Sequence, residues 1–174
     1  MGNATDMSTF DGDLRNQDLQ TYSQVQHAIC NNNVDKVVTI INEFDRSATR
    51  RFFRYVCDDL DRELTGAFAR MLALAYDPDV DRAHARARSL GLFLDRTRIQ
   101  DLDPVLTQAL EQVRLLKRIE NPLNDLDRVL IHAHELSRIL ARISTLNHEL
   151  ERAFDLVYIR LAADVLVRMS SRLV

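Results

Sequence analysis

The feature that most constrains the fold is the C-terminal stretch from Leu123 to Val174, which contains neither glycine nor proline. Apolar residues recur in it every three or four positions, as they do on one face of an amphipathic helix. A single heptad phase runs through ten positions: Val129, Ala133, Leu136, Leu140, Ile143, Asn147, Leu150, Phe154, Val157 and Leu161. The pattern predicts helix throughout this stretch.

Two arrangements of this C-terminal stretch are compatible with its pattern. One helix over 123–174 would be roughly 78 Å long, whereas a compact domain of this size has a radius of gyration of about 16 Å. Length therefore favours a break, and residues 144–147 (Ser-Thr-Leu-Asn) supply capping side chains for one. The unbroken heptad phase favours a continuous helix, because a chain that folds back has no need to keep it. The pattern alone leaves both alternatives open.

The helical period also covers most of the remaining chain, which has only four glycines and three prolines. A sheet protein uses many more of both residues in its turns. We therefore predict an all-α fold, a helical bundle of about five to seven helices with a long C-terminal helical segment. Residues 1–16 lack apolar periodicity, so we expect a flexible polar N-terminal tail before a single α-helical domain over 17–174.

Helix starts are indicated by three proline pairs, Asp77-Pro78, Asp103-Pro104 and Asn121-Pro122. In each pair a capping residue precedes a proline. Proline tolerates the first helical position because its missing N–H would be unpaired there. We expect a helix to begin at each pair, and Asn33 to cap the second helix of the chain.

Two histidines, His134 and His148, are each followed by glutamate, as at the start of a zinc-protease motif. Such a motif needs a second histidine four residues after the first, but Arg138 and Arg152 occupy those positions. The sequence also lacks a Gly-x-Ser-x-Gly motif and a glycine-rich phosphate loop. We therefore predict a non-enzymatic protein with no catalytic residue, no metal and no cofactor.

The heptad also defines a candidate self-association seam, made of Asn147, Leu150, Phe154, Val157 and Leu161. One polar residue at a seam position, here Asn147, can fix the register and the number of associated helices. Apolar flanking positions widen the stripe beyond a two-stranded seam, which favours a bundle. We predict that part of this face packs within the chain and part packs against another subunit.

The basic residues are nearly all arginine, with 21 arginines against two lysines. The net charge of −3 excludes a protein that is basic overall, but a local basic patch remains compatible with it. The candidate patch consists of Arg50, Arg51, Arg54, Arg82 and Arg86. Phe52 and Phe53 interleave its first part, and bases can stack on aromatic rings.

The sequence therefore favours interaction over catalysis. We expect a non-enzymatic helical interaction or assembly protein that acts through apolar helix faces on a protein partner or on itself, as a homo-oligomer. The alternative is a nucleic-acid-associated helical protein, such as a viral structural or regulatory subunit, that uses arginine-rich helix faces.

Cys30 and Cys57 lie far apart in apolar patterns, which predicts unpaired thiols in a reducing cytoplasmic compartment. No run approaches the ~18 apolar residues of a membrane span, so we expect no membrane partner.

Overall fold

A computed structural model describes residues 18–92, 96–146 and 148–173. Within these ranges the chain forms eight helices and no strand, so the predicted all-α class is confirmed, with one helix more than the upper end of the expected range. The predicted tail over 1–16 lies outside the described residues. The helices are α1 (18–30), α2 (Val34–Asn42), α3 (Arg46–Ala75), α4 (Val80–Ser89), α5 (Arg96–Lys117), α6 (Leu126–Leu146), α7 (His148–Ala153) and α8 (Leu156–Leu173).

Backbone contacts divide the chain into two compact units, Met1–Phe52 and Phe53–Val174. The boundary falls inside α3. The two units are described separately below, and the single domain over 17–174 stays a prediction.

The first unit contains an aromatic cluster. The Phe52 ring lies 5.9 Å from the Tyr22 ring and 5.3 Å from the Phe44 ring, between centroids. Tilted arrangements at these distances are favourable for aromatic pairs. Asn33 caps α2 as predicted, because its side-chain oxygen accepts a hydrogen bond from the backbone N–H of Lys36.

In the second unit, α6 packs against both α5 and α8. The apolar stripes of the sequence supply its core. Large fully buried side chains of this unit include Phe53, Leu60, Leu64, Met71, Ile99, Leu102, Leu106, Leu136, Ile139, Leu140 and Phe154. Helix α3 is tied to α8 and to the turn before it by polar contacts. Tyr158 donates a hydrogen bond of 2.6 Å to the Asp59 carboxylate, and Arg70 donates one of 3.0 Å to the carbonyl oxygen of Phe154.

The C-terminal stretch folds back, so the alternative of one continuous helix is wrong. Helix α6 ends at Leu146, and α7 and α8 are separated by a turn at Phe154 and Asp155. Asp155 has a φ of 55°, a left-handed conformation that ends a helix and that aspartate tolerates better than most residues. Ser137 on α6 then donates a hydrogen bond of 2.6 Å to Asp164 on α8.

The helix starts predicted at the three proline pairs are all wrong. Helix α4 begins two residues after Pro78, capped by Asp79, whose carboxylate accepts the N–H of Arg82. Helix α5 begins at Arg96, which leaves Pro104 inside it. Pro104 is exposed there, as is Gln100, whose carbonyl oxygen loses its helical donor and can bind water instead.

The third pair, Asn121-Pro122, lies in the connection between α5 and α6 rather than at a helix start. The carbonyl oxygen of Asn121 accepts the N–H groups of Asn124 and Asp125, which closes a turn, and α6 begins only at Leu126. Pro122 is buried in this connection. Pro122 therefore shapes a turn. Proline is common in turns as well as at helix starts, so the residue pair alone does not distinguish the two.

Candidate functional site

A cleft of about 480 Å³ opens in the second unit between α3, the end of α5, the α5–α6 connection and α6. Its volume falls within the range of about 300–1,000 Å³ that is typical of binding pockets. Apolar side chains form its floor and charged side chains form its rim. The floor consists of Phe53, Cys57, Leu116, Ile119, Pro122 and Val129, and the rim consists of Arg54, Asp58, Lys117 and Glu120.

The floor of the cleft is chemically inert. All six of its apolar residues are buried in the described structure. Burial raises the pKa of the Cys57 thiol to about 12, and the nearby Asp58 carboxylate adds to this shift. The thiol therefore stays protonated at neutral pH, and a protonated thiol is a poor nucleophile. The cleft offers apolar contact, not an activated cysteine.

One side of the rim is already neutralised within the chain. The Lys117 ammonium lies 2.8 Å from an oxygen of Asp61 and 3.3 Å from an oxygen of Asp58. The hydrogen bond with Asp61 raises the pKa of Lys117, and the same bond lowers the pKa of Asp61. Both shifts favour the charged forms, so this ion-pair cluster persists at neutral pH and holds α3 to the end of α5.

The other side of the rim carries charges without such partners. Arg54 is exposed and donates a long hydrogen bond, 3.4 Å, to the carbonyl oxygen of Glu120. Within the described residues, neither Arg54 nor the exposed carboxylate of Glu120 takes part in an ion pair. A guanidinium with free donors can bind a carboxylate in a bidentate manner. The open side of the cleft therefore presents one available cation and one available anion.

The arginines of the candidate basic patch have different roles. Arg50 and Arg51 belong to the first unit, where Arg50 is exposed and Arg51 is used internally. The Nε of Arg51 lies 2.7 Å from an oxygen of Asp18, and the bond raises the pKa of the arginine. Arg54 belongs to the rim of the cleft.

The other two patch members, Arg82 and Arg86, lie on α4. Arg82 binds the buried Asp77 carboxylate through two hydrogen bonds, of 3.0 Å from Nε and 2.8 Å from an amino group. Arg86 is exposed. Arg51 and Arg82 are thus engaged in ion pairs within the chain, whereas Arg50, Arg54 and Arg86 are exposed and take part in no ion pair among the described residues.

The Asp77–Arg82 pair predicts a specific loss of stability in acid. The hydrogen bonds from Arg82, then the backbone N–H of Asp79, lower the pKa of Asp77 from 3.8 to about 2. Because the folded state holds the lower pKa, the pair stabilises the fold fully above the unfolded pKa, and this contribution is lost as the pH falls from about 4 to about 2. We expect Arg82→Gln to lower stability at neutral pH and to flatten the acid limb of a stability profile measured by urea unfolding. Arg88→Gln, an exposed change on the same helix, serves as the control, and an equal effect of the two would contradict the pairing.

The candidate seam residues are divided between core and surface. Leu150 and Phe154 are buried within the chain, Leu161 is half-buried, and Val157 is 36% exposed. Asn147 lies outside the described residues, so its proposed role in fixing register stays a prediction. The described seam residues therefore leave mainly Val157 accessible to another subunit.

One residue of each histidine-glutamate pair lies beside a charged side chain of its own helix. Glu135 pairs with Arg138, and the hydrogen bond from Arg138 lowers the pKa of Glu135. The exposed His148 lies 3.6 Å from the buried carboxylate of Glu151, which also lies 3.1 Å from the Nε of Arg160. Across the described ranges, no group of three or more histidine, cysteine, aspartate or glutamate residues is placed to hold a metal ion.

Of the cleft residues, the sequence identified Arg54 as a member of the candidate basic patch and Phe53 as an aromatic residue next to it. Both cysteines were expected to be unpaired and buried in apolar helix faces. Both are unpaired, but only Cys57 is buried, at the floor of the cleft, whereas Cys30 is exposed. The others escaped notice because the cleft joins positions at least 58 residues apart, 53–58 with 116–129. One signal was available: Lys117 is one of only two lysines and stands at the end of an apolar stripe.

No helix in the described part of the chain is both long enough and apolar enough to cross a bilayer. No protein-family model, no curated protein and no solved structure matches the chain.

Proposed function

We propose that the protein is a non-enzymatic helical interaction protein that binds another polypeptide through the cleft between α3, α5 and α6. The observation that carries the proposal is the cleft itself, an apolar floor beside a rim with an available cation and an available anion. Such sites receive an apolar side chain of the partner, and the charged rim selects its neighbours.

The chemistry of the lining supports binding over catalysis. Cys57 is the one thiol among the lining residues, and its raised pKa keeps it protonated. Lys117 is held charged by two carboxylates, so it is not available as a base. A general base or a nucleophile needs a pKa near the working pH or an activating neighbour, and these two groups have neither.

The test uses two alanine-based helical peptides that differ only in a central residue, isoleucine or serine. We expect the isoleucine peptide to shift the amide NMR signals of residues 53–58 and 116–122, and the serine peptide to bind at least about tenfold more weakly because it buries less apolar surface. Arg50→Ala and Arg54→Ala, one helical turn apart, form a matched pair of variants. Arg54→Ala should alter the response of the rim and Arg50→Ala should not. Equal shifts with both peptides, or shifts away from the cleft, would contradict the proposal.

A nucleic-acid function is the second candidate, supported by the end of α4. Arg86 and Arg88 are exposed in its last turn, and neither takes part in an ion pair within the described part of the chain. This function predicts that a labelled oligonucleotide binds and that its affinity falls steeply between about 50 and 200 mM salt. It also predicts that the double variant Arg86→Glu, Arg88→Glu abolishes the binding. Binding that is absent at the lower salt concentration would exclude this candidate.

A further inference from the structure

Ile131 is the most exposed large apolar side chain in the described part of the chain, with 64% of its surface accessible. A single exposed aliphatic side chain is ordinary on a protein surface. Its neighbours on α6 make this one informative. Asp127 precedes Ile131 by four residues and Arg128 precedes it by three, so both lie next to Ile131 on the same face of α6. Both are exposed, and neither takes part in an ion pair among the described residues.

The turn around Ile131 is complementary to the cleft in both polarity and charge. It presents an apolar side chain with one carboxylate and one guanidinium beside it. The cleft presents an apolar floor with one guanidinium, Arg54, and one carboxylate, Glu120, on its open side. Asp127 can therefore pair with Arg54 while Arg128 pairs with Glu120. Ion pairs at a rim contribute modest affinity, but they fix the register and exclude wrong partners.

Ile131 cannot reach the cleft of its own chain. Val129, which lines that cleft, precedes Ile131 by two residues, so the two side chains point about 200° apart around α6. We infer that the cleft receives Ile131 of a second copy of this chain, an inference that rests on the proposed function because it names the partner of the same cleft. The contact is head to tail. Each pair of copies keeps one free cleft and one free Ile131, so growth continues beyond two copies unless a ring closes.

Sedimentation velocity of the full chain from about 1 µM to about 1 mM tests this inference. We expect the mass of the wild type to rise beyond that of two copies. Ile131→Ser and Arg54→Glu should each remain monomeric, because the first removes the apolar side chain and the second replaces the attraction to Asp127 by repulsion between like charges. An equimolar mixture of these two variants should form a species of two copies and stop there. The intact cleft of the Ile131→Ser variant receives Ile131 of the Arg54→Glu variant, and the two sites left over are those that carry the substitutions.

A charge exchange and a surface control make the result specific. The double variant Arg54→Asp, Asp127→Arg should restore the association that each single change weakens, because the pair is rebuilt with reversed signs. Val157→Ser changes another exposed apolar side chain and should leave the mass unchanged. Circular dichroism should show the same helix content for every variant.

Three results would overturn the inference: a monomeric wild type at the highest concentration, a mixture that stays monomeric, or loss of association in Val157→Ser. A monomeric wild type whose cleft amides still respond to the isoleucine peptide would refute the second-copy partner and leave the proposed function standing. If the cleft also fails to respond to the peptide, both are wrong.

Discussion

Phe154→Ala is expected to lower the free energy of unfolding by about 3–5 kcal/mol, the usual cost of deleting a buried phenylalanine side chain. Its side chain is fully buried in the turn between α7 and α8. The substitution removes apolar contact and leaves a cavity that the turn can fill only in part. Its carbonyl oxygen accepts the Arg70 hydrogen bond, so collapse of the turn would also disturb the tie to α3.

Val157→Ala, three residues later, is the matched control for this prediction. Val157 is 36% exposed, so its truncation should change stability by no more than about 0.5 kcal/mol. Urea unfolding followed by circular dichroism measures both variants, and the slope with denaturant should be unchanged. If the two substitutions lower the free energy of unfolding equally, Phe154 does not belong to the core of the chain. Phe154 would then be interpreted as a seam residue that packs between subunits.

Tyr158→Phe is expected to cost about 1.5–3 kcal/mol, the range for a hydrogen bond to a charged group. The Tyr158 hydroxyl lies 2.6 Å from the Asp59 carboxylate, and Asp59 is 4% exposed. The substitution would leave this buried carboxylate with the exposed Arg62 as its remaining side-chain partner among the described contacts. The cost arises because the buried carboxylate loses the hydrogen bond from the tyrosine hydroxyl and is not accessible to a water molecule that could replace it.

A double-mutant cycle checks whether this cost belongs to the Asp59–Tyr158 pair. Asp59→Ala should also be destabilising, and the double variant should lose less than the sum of the two single variants. Asp58→Ala is the control, because its side chain is 67% exposed beside the buried Asp59. Additive single costs, or an equal cost for Asp58→Ala, would show that the hydrogen bond does not carry the stability assigned to it.

The class of fold could be predicted from periodicity, because burial of one helix face is a local property of the sequence. The stripe that contains Leu136, Leu140 and Ile143 is buried in the structure as the pattern requires. Helix ends were less predictable, because proline and aspartate serve several kinds of turn. Pro104 stands within α5, and Pro122 shapes the connection that closes the cleft.

The fold-back of the C-terminal stretch could not be decided from its pattern. The heptad positions up to the turn, Leu150 and Phe154, are buried, whereas Val157 after it is exposed and Leu156 and Ile159 are buried instead, so the sequence keeps its phase although the buried face changes at the turn. A heptad phase that continues along the sequence is therefore compatible with a break in the helix. The cleft was unpredictable for a different reason. It depends on where α3 meets the α5–α6 connection, and no local pattern encodes that packing.

Helix α4 is held by very little apolar contact. The residues that it buries are Ala83 and Ala87, each of which contributes one methyl group. Its other anchors are polar, the Asp79 cap and the Asp77–Arg82 pair. Segments with few buried apolar contacts open at a free energy well below that of global unfolding, so α4 should exchange its amide protons by local opening while the core of the unit stays closed. Such an opening uncovers no large hydrophobic side chain of the helix itself. The helix itself therefore adds no large apolar side chain to the exposed surface when it opens, and substitutions on α4 away from Ala83, Ala87 and Arg82 should be well tolerated.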